Sequence, residues 1–251
     1  MMNWVASLLT AFRFLTVIPL PGTQESGEET FSRSLLFFPV VGLVLGSLSA
    51  ATAWLLQDVV EPLPLAVVLV GLLAGLSGAL HLDGLADTAD GFFSSRPRER
   101  ILEIMRDSRI GAMGVIGLLL VLLLKISALS SLEPAMAWRA VFLMPLAGRC
   151  AILIMMALLP YARSEGGLGS LFYGSSVRFK ALAGLFFLAA VAWLVGAVGG
   201  LVAVVAGLLV TVLFCFYCRK KIGGATGDTL GAVCELTEAA VAFGYCLSFG
   251  R

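Results

Sequence analysis

Charge is the scarcest property of this sequence. Of its 251 residues only 13% are Asp, Glu, Lys or Arg, against about 25% in an average soluble domain. The net charge is +1, so no basic field exists to hold a polyanion, and nucleic acid is excluded as a partner. Histidine occurs once and cysteine five times. Cys215 and Cys218 form a C-x-x-C, but it lies within Phe214-Cys215-Phe216-Tyr217-Cys218, with no second pair or histidine nearby to complete a zinc site. Cys150, Cys234 and Cys246 also stand in apolar stretches, and all five read as buried thiols without a metal or redox role. The first twenty residues lack a basic leading region, and Pro19 and Pro21 end their apolar run; a cleavable signal is not expected. The ten-residue alternation of a membrane barrel strand is missing too.

What is present is apolar surface: 59% of the residues are hydrophobic, more than one aqueous core of this size can bury. The excess must face lipid or other membrane helices. Spanning hydrocarbon takes about 20 residues of helix, and runs of that order occupy 35–57, 63–82, 110–129, 135–159, 181–199, 201–218 and 229–249. An eighth run, 5–20, is short and carries Arg13, which fits a helix lying in the interface. Lipid offers open strand edges no hydrogen bonds, so the runs are helices. The expected fold is an all-α polytopic membrane protein with about seven spans (range six to eight), forming one domain over 1–251. Gly42-x-x-x-Gly46 and Gly71-x-x-x-Gly75 have the spacing of close helix contacts. Gly199-Gly200 is the expected hairpin turn between the sixth and seventh spans.

Orientation follows from the loops. Alternation groups 21–34, 83–109, 160–180 and 219–228 on one side, and these hold twelve of the seventeen Lys and Arg residues. The opposing loops 58–62, 130–134 and 199–200 hold none. The first group is therefore expected in the cytoplasm, with 83–109, 160–180 and 219–228 forming an active-site face.

That face begins with His81-Leu82-Asp83-Gly84-Leu85-Ala86-Asp87-Thr88-Ala89-Asp90-Gly91. On a helix Asp83, Asp87 and Asp90 fall within an arc of about 60°. Aligned like charges repel unless a cation lies between them, and hard carboxylate oxygens at a water boundary suit Mg²⁺, with Mn²⁺ able to substitute. The plain alternative is a solvated acidic helix end. His81, the only histidine, stands two residues before the first aspartate; base, ligand, support to a ligand and simple packing residue all remain open for it. In Met105-Arg106-Asp107-Ser108-Arg109-Ile110-Gly111, Arg106 and Arg109 beside a helix start form a candidate phosphate clamp. Arg96, Arg98 and Arg100 read as membrane-side anchors. A second cluster, Gly223-Gly224-Ala225-Thr226-Gly227-Asp228-Thr229, opens the last span. Gly224, Thr226 and Gly227 are candidates to cradle phosphate, while Asp228 and Glu235, with Glu238 beyond, share a helix face. Arg149 sits mid-span and needs an anionic partner, a helix carboxylate or a substrate. Lys125 is expected to reach for the far interface.

These motifs, with Phe14-Leu15-Thr16-x-x-Pro19 and Tyr161-Ala162-Arg163, resemble the signatures of the cobalamin synthase (adenosylcobinamide-GDP ribazoletransferase) family, in the family's order along nearly the whole chain. Ala225 stands where relatives often carry glutamine. The resemblance implies a multi-pass enzyme of the bacterial inner membrane, working on the cytoplasmic face. It would join adenosylcobinamide-GDP to α-ribazole or its 5′-phosphate and release GMP, with Mg²⁺ required. Asp83, Asp87, Asp90, Asp228 and Glu235 would then hold metal, and Arg106 and Arg109 the diphosphate. His81 would take a proton from a ribazole hydroxyl. Further copies of the chain and other enzymes of the pathway are its implied protein partners.

Two other classes compete. CDP-alcohol phosphotransferases also bind metal through helix aspartates, but their pattern has arginine after the Asp-Gly-x-x-Ala that here reads Asp83-Gly84-Leu85-Ala86, followed by Asp87. A transporter would place its charges near the midplane and show repeat symmetry, neither of which this sequence displays.

Overall fold

The computed structural model describes residues 4–20, 27–163, 173 and 176–247. Helices account for its regular structure: α1 (Trp4–Leu15), α2 (Glu28–Ser34), α3 (Phe38–Leu56), α4 (Pro62–Leu76), α5 (Leu80–Phe92), α6 (Arg98–Ile104), α7 (Ala112–Ser130), α8 (Pro134–Leu158), α9 (Val177–Ile222) and α10 (Gly227–Leu247). Parts of the expected loops 21–34 and 160–180, and the end of the last apolar run, lie outside the described residues. Among the described residues the one β-bridge joins Tyr161 to Ala225.

Five segments are long and apolar enough to cross a bilayer: Glu29–Leu56, Ala112–Ser130, Pro134–Leu158, Val177–Ile222 and Gly227–Leu247. The pair α4 and α5 passes the same test together, bent by 92°. At 46 residues, α9 would be about 69 Å long if straight, more than twice the hydrocarbon thickness. It is not straight. Ala197 breaks it with φ 45° and ψ −130°, and a Cβ on Gly200 would meet the carbonyl of Ala192; the chain has folded back on itself. Its first half packs on α8, where Gly184 faces Leu153, and its second on α10, where Gly207 faces Val241 and Thr237. Counted as two, its halves bring the total to six, or to the expected seven with the bent pair as one span. The turn, however, lies at Ala197 rather than Gly199-Gly200, because Gly200 is used where the two halves touch.

At 12 residues α1 is too short to span. Its end holds the break between α4 and α5 in place. Gly78 and Ala79 take positive φ there (59° and 55°), which frees carbonyls at the end of α4. Val17 N–H donates to one of them, on Leu76, at 2.9 Å.

Close helix contact depends on small residues where no apolar driving force separates helix from lipid. On α3 the glycine pair behaves so: a Cβ on Gly42 would fall 2.5 Å from the Pro145 carbonyl of α8, and Gly46 lies against Phe142. Gly71 and Gly75 on α4 have nothing within 4 Å, so the same spacing there makes no such contact. The tightest pairing for function is antiparallel, α5 against α10. A Cβ on Gly84 would lie 2.6 Å from the Asp228 carbonyl, and one on Gly231 3.0 Å from that of His81.

Candidate active site

The Gly84–Asp228 contact joins the two acidic, glycine-flanked helix ends that the sequence set apart. Asp83 and Asp228 line one cavity of about 180 Å³, with His81, Gly84, Gly227 and Gly231. Asp87 stands one turn further along α5, where the charges of Asp228, Asp83 and Asp90 act on it. Asp83 is exposed and Asp87 half-buried. Among the described residues, no three His, Cys, Asp or Glu side chains converge closely enough to cage an ion by themselves.

The start of α10 is fixed by its own sequence. Thr226 N–H donates to Thr229 Oγ1 (2.8 Å) and Thr229 N–H to Thr226 Oγ1 (3.3 Å), a reciprocal cap. Gly224 lies against the Pro160 carbonyl, and Ala225 N–H donates to that same oxygen at 2.9 Å. Gly224 and Thr226 therefore serve the turn rather than an open cradle. Gly227 alone of the three borders the cavity, and a Cβ there would meet nothing within 4 Å.

Arg163 is the site residue that spacing alone missed. Its Nη2 donates to Asp228 Oδ2 at 2.7 Å, while its buried Nε has no partner among the described residues. The Tyr161-Ala162-Arg163 motif was its only signal. Tyr161 lies within electrostatic reach of Arg163, Asp228 and Arg106, and burial raises its phenol above the ordinary range.

Arg106 is exposed, with its charge in reach of Tyr161. Arg109 is exposed and forked onto Asp107 (3.0 and 2.7 Å), and this guanidinium lowers the Asp107 carboxyl to about 2. Asp90, expected as a metal ligand, has both oxygens occupied by backbone donors at the start of α7, Gly111 N–H (2.7 Å) and Gly114 N–H (2.8 Å). It is a cap. Arg98, read as an anchor, ties the face together by donating to the Ile222 and Ala162 carbonyls at 2.8 and 2.7 Å.

Glu235 is displaced from the site by its depth. Seven residues along α10 from Asp228, it lies about 10 Å further in and accepts from Lys125 Nζ at 2.7 Å. Glu238 accepts from Lys125 at 2.6 Å and from Arg149 Nη1 at 2.5 Å. All four side chains are buried. Lys125 therefore does not reach the far interface; hydrocarbon around it makes the two carboxylates the better partner. Arg149 finds a helix carboxylate in Glu238, while its buried Nε has no partner among the described residues. His81, 3% exposed, lines the cavity between these two layers, and its Nδ1 has no partner among the described residues. The described cysteines are free thiols, and all but Cys246 are buried.

No solved structure matches. The chain is 42% identical over 240 residues to the adenosylcobinamide-GDP ribazoletransferase of Desulforamulus reducens, covering 95% of each chain. It is 38% identical over 237 residues to that of Clostridium acetobutylicum, covering 94% of each. To that of Roseiflexus sp. it is 43% identical over 241 residues, 94% of this chain and 88% of the relative. Residues 7–246 match the family model described as cobalamin-5-phosphate synthase, and the chain belongs to that family.

Proposed function

We propose that this chain joins adenosylcobinamide-GDP to α-ribazole, or to its 5′-phosphate, at the cytoplasmic face of a bacterial inner membrane. The ribose 3′ hydroxyl oxygen of ribazole, free whether or not the 5′ position carries phosphate, loses its proton and forms a bond to the phosphorus that carries the cobinamide. The bond from that phosphorus to the bridging oxygen breaks, and GMP leaves with the oxygen. The observation that carries the reading is the contact of Gly84 with Asp228: Asp228 and Asp83 line one cavity, and Asp87 stands a turn further along α5 within reach of both charges.

The donor set fits a divalent ion that arrives with its substrate. Mg²⁺ uses one or two carboxylates and completes its shell with water and phosphate oxygens, so an incomplete protein cage is what such a site needs. Asp83, Asp87 and Asp228 would hold Mg²⁺, or Mn²⁺ in its place. The bound ion would neutralise diphosphate charge. Arg163 and Arg106 orient the anionic groups around it, and the open N–H end of α10 at Gly227 receives a phosphate oxygen. With ribazole or its 5′-phosphate alike, the partnerless His81 Nδ1 takes the proton of the attacking ribose hydroxyl.

The test is GMP release by detergent-purified protein given adenosylcobinamide-GDP, α-ribazole and Mg²⁺. Asp87→Asn and Asp228→Asn are expected to lower kcat on the order of a hundredfold while still inserting in the membrane. Wild-type rates in both variants would refute the assignment.

A further inference from the structure

We infer that the apolar end of the 180 Å³ cavity is the subsite for the uncharged bicyclic base of ribazole. This assignment rests on the transfer reaction proposed above and names where one of its two substrates sits.

The cavity has two unlike ends. Asp83, Asp228 and Gly227 form the polar one. Phe14, Phe38, Ile152 and Met156 line the other, from three helices that the acidic motifs do not touch. Phe14 and Phe38 stack with centroids 6.2 Å apart and planes 21° from parallel. Between the ends stands His81, buried, with Nδ1 unpartnered.

Size and polarity select the occupant. The whole cavity, both ends together, is about 180 Å³, little more than the apolar cavity of about 150 Å³ that takes a benzene ring; it admits a small fused aromatic base with its sugar toward the polar mouth, and no corrin ring. Guanine would fit by size, but its amide and amino groups would lie against Phe, Ile and Met with no partners. A benzimidazole has no such edge. With the base at the apolar end, the attached ribose extends past His81 toward Asp83 and Asp228, and its 3′ hydroxyl reaches the carboxylates. The arrangement also gives α1 a purpose: too short to span, it contributes Phe14 to the wall.

Titration calorimetry of the purified full chain with α-ribazole, without Mg²⁺ or corrinoid, reads the subsite apart from the reaction. Met156→Trp fills the apolar end and is expected to weaken ribazole binding about tenfold or more. KM for ribazole should rise likewise, with KM for adenosylcobinamide-GDP unchanged. Leu132→Trp, in a separate apolar cavity, should change neither. On the unaltered protein, an α-adenine riboside should bind about tenfold more weakly than ribazole, a comparison that needs no variant to fold. The inference is overturned if ribazole binds undiminished to folded Met156→Trp, or if the adenine riboside binds as well as ribazole. Should the unaltered protein release no GMP while ribazole binding still follows Met156, the transfer reading falls and the subsite stands. Normal GMP release with ribazole binding indifferent to Met156 sinks the subsite alone.

Discussion

Removing Glu238 strands the buried Arg149, whereas Lys125 keeps a carboxylate partner after the loss of either glutamate. Breaking a buried pair by deleting one partner costs about 3–5 kcal/mol, because the remaining charge has no water to turn to. Glu238→Ala should therefore lower the unfolding temperature in detergent well beyond Glu235→Ala. Equal shifts would mean that the four charges are not shared as drawn. The demand for partners was legible in the sequence: a charge inside an apolar run must be paired. Which residues pair was not. Glu235 shares a helix face with Asp228 in any helical reading, and only the approach of Lys125 from α7 removes it from the acidic site. Asp90 repeats the lesson, since its alignment with Asp83 and Asp87 says nothing of Gly111 and Gly114, which occupy it.

At the scale of elements, two joints decide how the helices meet. The first is the start of α10. Thr226 and Thr229 cap each other, each side chain accepting from the other's backbone N–H, so Thr226→Ala should cost about 1 kcal/mol of stability and adding Thr229→Ala about as much again. A double variant no less stable than Thr226→Ala, measured by thermal unfolding, would refute the paired cap. The second joint is the reversal of α9. Ala197, at φ 45° and ψ −130°, occupies the conformation of the first central residue in a type II′ turn, where glycine is favoured. Ala197→Gly should relieve strain of about 1–3 kcal/mol and raise the unfolding temperature; a lower one would show that the alanine methyl group matters more than its backbone. The sequence pointed to a turn a few residues later because glycines are punctuation in a linear reading. Here Gly200 instead admits the Ala192 carbonyl and Gly196 the Tyr245 ring, and the turn falls between them on a residue with no turn signal. The apolar wall of the cavity was equally invisible, since Phe38 or Met156 in a spanning run looks like any lipid-facing side chain.

For the molecule as a whole, the joint between α4 and α5 determines where everything else lies. If the bent pair crosses the bilayer, the loops at 58–62 and 93–97 face opposite sides. A re-entrant pair would return both to one side and invert the placement of α7 to α10 relative to α3. Charge favours crossing: 58–62 carries no Lys or Arg, while 96–109 carries Arg96, Arg98, Arg100, Arg106 and Arg109. The antiparallel packing of α5 on α10 along the Gly84–Asp228 and His81–Gly231 contacts holds in either case, so charge alone separates the two. Asp58 and Arg96 are both exposed, so single cysteines there report the side directly in a background with Cys246 changed to serine. Asp58→Cys should react with a membrane-impermeant maleimide in intact cells, and Arg96→Cys only in inverted membrane vesicles. Labelling of both from the same side would make α4 and α5 a re-entrant loop and would remove the basis for placing Asp83, Asp87 and Asp228 on the cytoplasmic face.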